Sequence, residues 1–542
     1  MFKKNKEFSK LIIIEAFSLI FSTLAVIGTK IDIESRKFSE FRATDILRLV
    51  LFFVICSICI NGVLYLIENR KILSKIFDQQ NYSRKKIIIF MLGIAAVYLL
   101  YLVVYAPGIV AGDSLSSIRQ IREGFLENHH PVLYTCFIGL CLKVGEFIKD
   151  SNTGILLYCF FQIAVCSWTY ASFLMWLKKK GVRKLIIILV FLYFVLYPVF
   201  AINSITLWKD PMFSCALLWM IMMLYDFCQS QEYIAWKKLL MFGLTGILMG
   251  LLRNNGIYIF IFVFAGMICG LKKNRKRIMA VIVPSILILY CITGPFYENI
   301  LHAKPRFVES VGIPLQQMAR VVVEDGEMNK EDEEFLFSLL PEEKWEEYYT
   351  PFLVDPIKWA PEFNTKYLNS HKKQFLITWV SLLEKNLDIY VEQYFMGTTG
   401  FWRIGAERTN EFVKLEVDEN PYGIYEDSPL GEKLSEEIKD KIETALDKLP
   451  MGVYIWLMFF DLLYCVVKRK YKYVTMLLPM LGNWGTLMIA TPTAFGLRYI
   501  WINVIALPLM LLIPFILARN DQKQSNRSGR KIPEKGEKTI EQ

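Results

Sequence analysis

The sequence predicts an all-α polytopic membrane protein of about twelve transmembrane helices, with a mostly helical segment outside the cytoplasm. Three observations predict it. The chain is 54% hydrophobic, and its apolar residues gather in runs of about 20, the length an α-helix needs to cross roughly 30 Å of hydrocarbon. In lipid each backbone N–H and C=O must find its partner within the segment, so such runs become helices. Lys and Arg cluster in alternate short connections, and one long stretch between apolar runs is acidic instead.

In chain order, spans are expected near 8–28, 46–67, 87–105, 154–177, 184–202, 208–227, 239–252, 257–271, 278–296, 451–467, 473–490 and 499–518. The first two, with the basic loop that follows, make up residues 1–86. Lys3, Lys4 and Lys6 put the N-terminus in the cytoplasm, and Arg70, Lys71, Lys75, Arg84, Lys85 and Lys86 return the chain there. Clusters at Lys178–Lys184, Lys272–Arg277 and Lys468–Lys472 land on the same side if the span count holds. The apolar run at 131–149 would invert every later cluster if it crossed. It is therefore expected to lie along the outer interface, with Lys143, Glu146 and Lys149 along it.

Residues 298–450 hold 31 Asp and Glu against 17 Lys and Arg. Their net charge is −14, so the rest of the +10 chain carries +24. The basic loops need only anionic lipid headgroups as partners, and no nucleic acid is implied. All eleven cysteines lie in or beside apolar runs, so the acidic segment is not a disulfide scaffold. Residues 451–519 supply three C-terminal helices, and the polar stretch 520–542 reads as a disordered cytoplasmic tail.

The informative residues stand at the outer helix ends. The loop at 106–153 carries Asp113, His129 and His130; Lys209 and Asp210 precede the sixth span. Arg253 and Asn254 tip the seventh and eighth, and Arg498 and Tyr499 open the last. Structural readings compete: Asp113 as a helix cap from Ser114, Lys209 snorkelling with Asp210 as its ion partner, Arg498 as an interface anchor. Arg253 resists such a reading. Helical arms of about 14 residues reach roughly 21 Å, so the tip sits below the surface, where a guanidinium must line a cavity. Together these groups supply a general base and cations able to hold a phosphate oxyanion. The sequence has no GxxxxGK[ST] loop and no DxD triplet, which leaves cytosolic nucleotide use unsupported.

This pattern resembles the GT-C superfamily, membrane glycosyltransferases that take sugars from polyprenyl-phosphate donors. Asp113 matches the acidic residue in the first long outer loop of that family's seven-helix module, and His130-Pro131-Val132-Leu133 matches the His-Pro opening of its membrane-parallel helix. The module here would span residues 87–297, with two helices before it. Ser114 stands where a second acid is common, and Val132 where a second proline is common.

The resemblance implies an inverting transfer to an extracytoplasmic glycan, lipid or protein acceptor, with Asp113 as general base. Lys209, Arg253 and Arg498 would hold the lipid phosphate, with His129 or His130. Asp210, Asn254 and Tyr499 complete the substrate-binding set. Metal ligands are unassigned, and a Mg²⁺ or Mn²⁺ requirement is left open. The plasma membrane, with both termini cytoplasmic, is the expected location. The competing class is a transporter or lipid-linked sugar flippase using Glu15, Asp226 and Asp461 inside the bilayer. A lipid-linked saccharide polymerase or ligase shares the transferase chemistry.

Overall fold

A computed structural model describes residues 2–78, 86–405, 415–428, 451–490 and 493–528, with positions 430, 437, 439, 441, 442 and 444. Arg84, Lys85, Thr491, Pro492 and most of 429–450 lie outside the described residues. The chain is an all-α membrane protein; among the described residues one two-stranded hairpin pairs Ile31–Asp32 with Lys37–Phe38.

Each expected span coincides with a helix, but they differ in reach. Among the described residues, eight helices are long and apolar enough to cross a membrane, from Glu7–Gly28 to Leu497–Lys523. A ninth is a broken one: Lys184–Leu196 and Pro198–Ile205 meet at 53°. Pro198 cannot donate to the preceding turn, which accounts for the break. Trp236–Leu252, Gly256–Gly270 and Met451–Val467 have 17, 15 and 17 residues, short of a full crossing. Residues 520–528, expected in a disordered tail, instead continue helix Leu507–Ser528, and the rest of that stretch lies outside the described residues.

The run at 131–149 forms helix Val132–Ile148. Its Gly145 meets Gly154 of Ser151–Lys179, where a Cβ on either would overlap the other helix's backbone. Leu140, Val144, Phe147 and Ile148 face away and are exposed, an apolar face suited to lipid.

The acidic segment is more than a solvated face. Gly312–Val323, Lys330–Leu339, Lys372–Lys385 and Leu387–Gly397 enclose a core of their own around the fully buried Trp345. This helical domain sits over one end of the membrane bundle, the end that also carries Asp113 and Arg253.

Candidate functional site

Between the bundle and the domain lies a cavity of about 450 Å³. Asp113, His129, His130, Lys209, Arg253, Asn254, Arg498 and Tyr499 all line it. Asp210 does not, but it holds a residue that does.

The loop carrying Asp113 is fixed from two sides. The Ile109 N–H donates to the Ile205 carbonyl and the Ile109 carbonyl accepts from the Leu207 N–H, both at 3.0 Å, and the Asp418 N–H donates to the Val110 carbonyl at 2.9 Å. The Gly112 N–H, at the start of helix Gly112–Glu123, donates to Asp418 Oδ2 at 3.1 Å. The stretch leading to Lys209 is held by Gln162, whose amide donates to the carbonyls of Asn203, Ser204 and Thr206. At the short hairpin, a Cβ on Gly256 would overlap Gly250, and this close approach turns the chain sharply at Arg253. Asn254 donates to the Asn128 carbonyl at 3.0 Å, tying that tip to the loop of His129 and His130.

Three structural readings of the sequence are overturned here. The Asp113 helix starts at Gly112 with Ala111 as its cap residue and no side-chain cap bond, so Asp113 is free for other partners. They are Lys209 at 3.1 Å and Arg498 at 2.7 Å, both on Oδ2. Lys209 thus pairs with Asp113 rather than its neighbour Asp210. Asp210 instead lies 2.9 Å from Arg253. Arg498 is no interface anchor, since its guanidinium is drawn inward onto Asp113, the Tyr499 hydroxyl and the Trp208 ring. Arg253 sits over both Phe213 and Tyr499 rings, at 5.4 and 5.1 Å.

The cavity floor therefore holds three cations, Lys209, Arg253 and Arg498, against two carboxylates, Asp113 and Asp210. One positive charge is left over, which favours an anion. Desolvation pushes the Asp113 carboxyl up, but Arg498 and Lys209 outweigh it and hold the group well below the usual carboxylate range. A base activated by a raised pKa is thus not its resting state. Anything that draws Lys209 and Arg498 away would raise its basicity.

Desolvation, then Lys209 at 3.2 Å from Nδ1, holds His130 well below the ordinary imidazole range. The folded protein keeps this ring neutral where the unfolded chain would bind a proton, below a pH of about 6.5. Stability is therefore expected to fall as pH drops below that value. His130→Asn should flatten the pH dependence of the unfolding temperature between about pH 7 and 5. An unchanged slope would remove His130 as its source.

The opposite wall comes from the domain, and sequence reasoning missed it: Arg306, Glu309, Asp355, Lys358 and Trp359 line the cavity too. Arg119 had a legible signal, lying on the Asp113 helix at a spacing that shares a face with Asp113 and Ser116. Among the described residues, no group of three or more His, Cys, Asp and Glu is arranged to hold a metal ion.

Fold and site together define an integral membrane protein with a cation-rich cavity roofed by a helical domain. The chain belongs to DUF6020, a family of unknown function, which matches residues 120–531. No curated protein and no solved structure matches the chain.

Proposed function

We propose that this protein is a glycosyltransferase that moves a sugar from a polyprenyl-phosphate donor to an extracytoplasmic acceptor. The observation that carries the reading is the closeness of the cationic floor to an apolar groove. That groove has about 870 Å³ and runs between the helices, lined by Phe137, Trp168, Met212, Trp219 and Leu252 among others. Phe161, Trp168, Met241 and Leu248 along it are exposed, so it opens sideways toward lipid. Its lining is adjacent to the floor at three places: Leu252 precedes Arg253, Met212 stands two residues after Asp210, and Lys209 stands 5.9 Å over the Tyr134 ring. A phosphate on a long apolar chain fits both compartments at once.

In this mechanism the donor phosphate takes up Lys209, Arg253 and Arg498, which loosens the hold of Lys209 and Arg498 on Asp113. The freed carboxylate accepts the proton of an acceptor hydroxyl, whose oxygen attacks the anomeric carbon. The bond to the phosphate oxygen breaks with inversion, and its electron pair leaves on a phosphate stabilised by the three cations. The twelve-span count and a GT-C-like module at 87–297 belong to this reading, with three short helices crossing in a thinned or protein-lined region. So does a plasma-membrane location with both termini cytoplasmic.

The transporter reading retains one supporting observation. Glu15 accepts from Ser57, and Asp226 pairs with Lys180 and Trp176, which accounts for both. Asp461 is fully buried with neither oxygen hydrogen-bonded.

Incubating the purified protein with a panel of polyprenyl-phosphate sugars should release free polyprenyl phosphate. No release with any donor would sink the transferase. A tag inserted within residues 330–350 should react with impermeant reagents on intact cells, while one after Asn520 should not. The reverse pattern would put the cavity on the cytoplasmic face and exclude this reaction.

A further inference from the structure

The roof of the cavity differs in chemistry from its floor. Trp359 lines it with 47% of its surface open. The same domain fully buries Trp345 as the centre of its core, a core to which Trp359 does not belong. A large ring left open on a cavity wall contributes little to folding and is available to a ligand.

Its surroundings are rigid and polar. Arg306 stands 5.0 Å over the ring and is bound to Glu127 at 2.5 Å. Lys358, itself buried, is held between Asp355 at 2.7 Å and Glu309 at 2.8 Å. The His129 ring meets Trp359 edge-on at 5.6 Å. Three carboxylates against two cations give this wall a net charge of −1, opposite to the floor.

We infer that the roof is a saccharide subsite in which Trp359 is the stacking platform for a neutral pyranose of the acceptor glycan. The inference rests on the transferase reading and deepens it, choosing a glycan over a lipid or protein acceptor. A pyranose presents one face of C–H bonds carrying slight positive charge, which suits the negative face of an indole. Its equatorial hydroxyls need acceptors and donors held in place; the carboxylates Glu127, Glu309 and Asp355 supply the acceptors, and Arg306 and Lys358 the donors. Apart from Trp359 the domain lines the cavity with charged residues, which gives an apolar acceptor chain no continuous surface, and the carboxylates of this wall disfavour an anionic ring on Trp359. The two compartments face each other across the cavity, so a saccharide on Trp359 and a phosphate on the floor bring acceptor and donor together at Asp113.

The test is saturation-transfer NMR on the full chain in nanodiscs. The probes are neutral tetrasaccharides of glucose, mannose or N-acetylglucosamine, measured without donor. At least one should receive saturation on the C–H protons of a single ring face. Trp359→Ala should weaken its binding roughly tenfold, Trp359→Phe should restore most of it, and Phe147→Ala, exposed and outside the cavity, should leave it unchanged. No saturation of any probe, or equal binding by Trp359→Ala, would overturn the subsite. Donor turnover measured separately tells the two readings apart. Turnover without saccharide on Trp359 defeats the subsite alone, and saccharide binding without turnover of any donor defeats the transferase alone.

Discussion

Asp113→Asn is expected to lower sugar transfer by about 10²–10⁴-fold while leaving donor binding intact or tighter. The split between the two follows from the geometry. One oxygen of Asp113 is shared by Lys209 and Arg498 at 3.1 and 2.7 Å. Asparagine keeps an acceptor oxygen there but removes the charge, so the floor gains one positive unit toward a phosphate. It also removes the group that takes the acceptor's proton. A residue that merely anchored the two cations would behave differently, since its loss would scatter them and weaken donor binding with turnover. The measurement is the dissociation constant for the donor lipid beside the single-turnover rate. Transfer retained above about a tenth of wild type, or a parallel loss of binding and rate, would remove Asp113 as the base. Asp113→Glu provides a further check, because it keeps the charge while moving the carboxylate by one methylene.

How much of this was legible in the sequence depended on the range of the interaction. Helices were readable because hydropathy and backbone satisfaction act within one segment, and every expected span has its helix. Their reach was less so. The short arms expected at 239–252 and 257–271, found as Trp236–Leu252 and Gly256–Gly270, were visible by length, and that same shortness pointed to Arg253. Pairings among the site residues were misjudged for a definite reason. Lys209 and Asp210 are neighbours in sequence, yet each takes a partner from another element, 96 residues away for Lys209. Helix Asp210–Gln229 begins at that step, so the two side chains leave in different directions. The roof was illegible altogether. Arg306 reaches Glu127 across 179 positions, and nothing in the local pattern of an acidic segment distinguishes an ion-locked carboxylate from a solvated one. Trp359 could be recognised only after Trp345 had been seen to fill the core without it.

Breaking the Asp210–Arg253 pair from one side should be among the most destabilising single changes in the protein. Asp210 is 1% exposed, and its contact with Arg253 at 2.9 Å is an ion pair without hydrogen-bond alignment, leaving both carboxylate oxygens otherwise unpartnered. Asp210→Ala strands a guanidinium between two aromatic rings, and Arg253→Ala strands a carboxylate. Each is expected to cost about 3–5 kcal/mol, seen as a lowered apparent unfolding temperature in detergent. Joint replacement by apolar residues, Asp210→Leu with Arg253→Met, should recover most of that stability, because no uncompensated charge remains. It should not recover donor binding, since the floor then lacks one of its three cations. Arg253→Lys separates charge from shape: it keeps the charge but cannot lie flat against both Phe213 and Tyr499. Its donor affinity should fall between wild type and Arg253→Ala. A double variant that regains both stability and donor binding would reduce the pair to a packing device and take Arg253 out of the phosphate site.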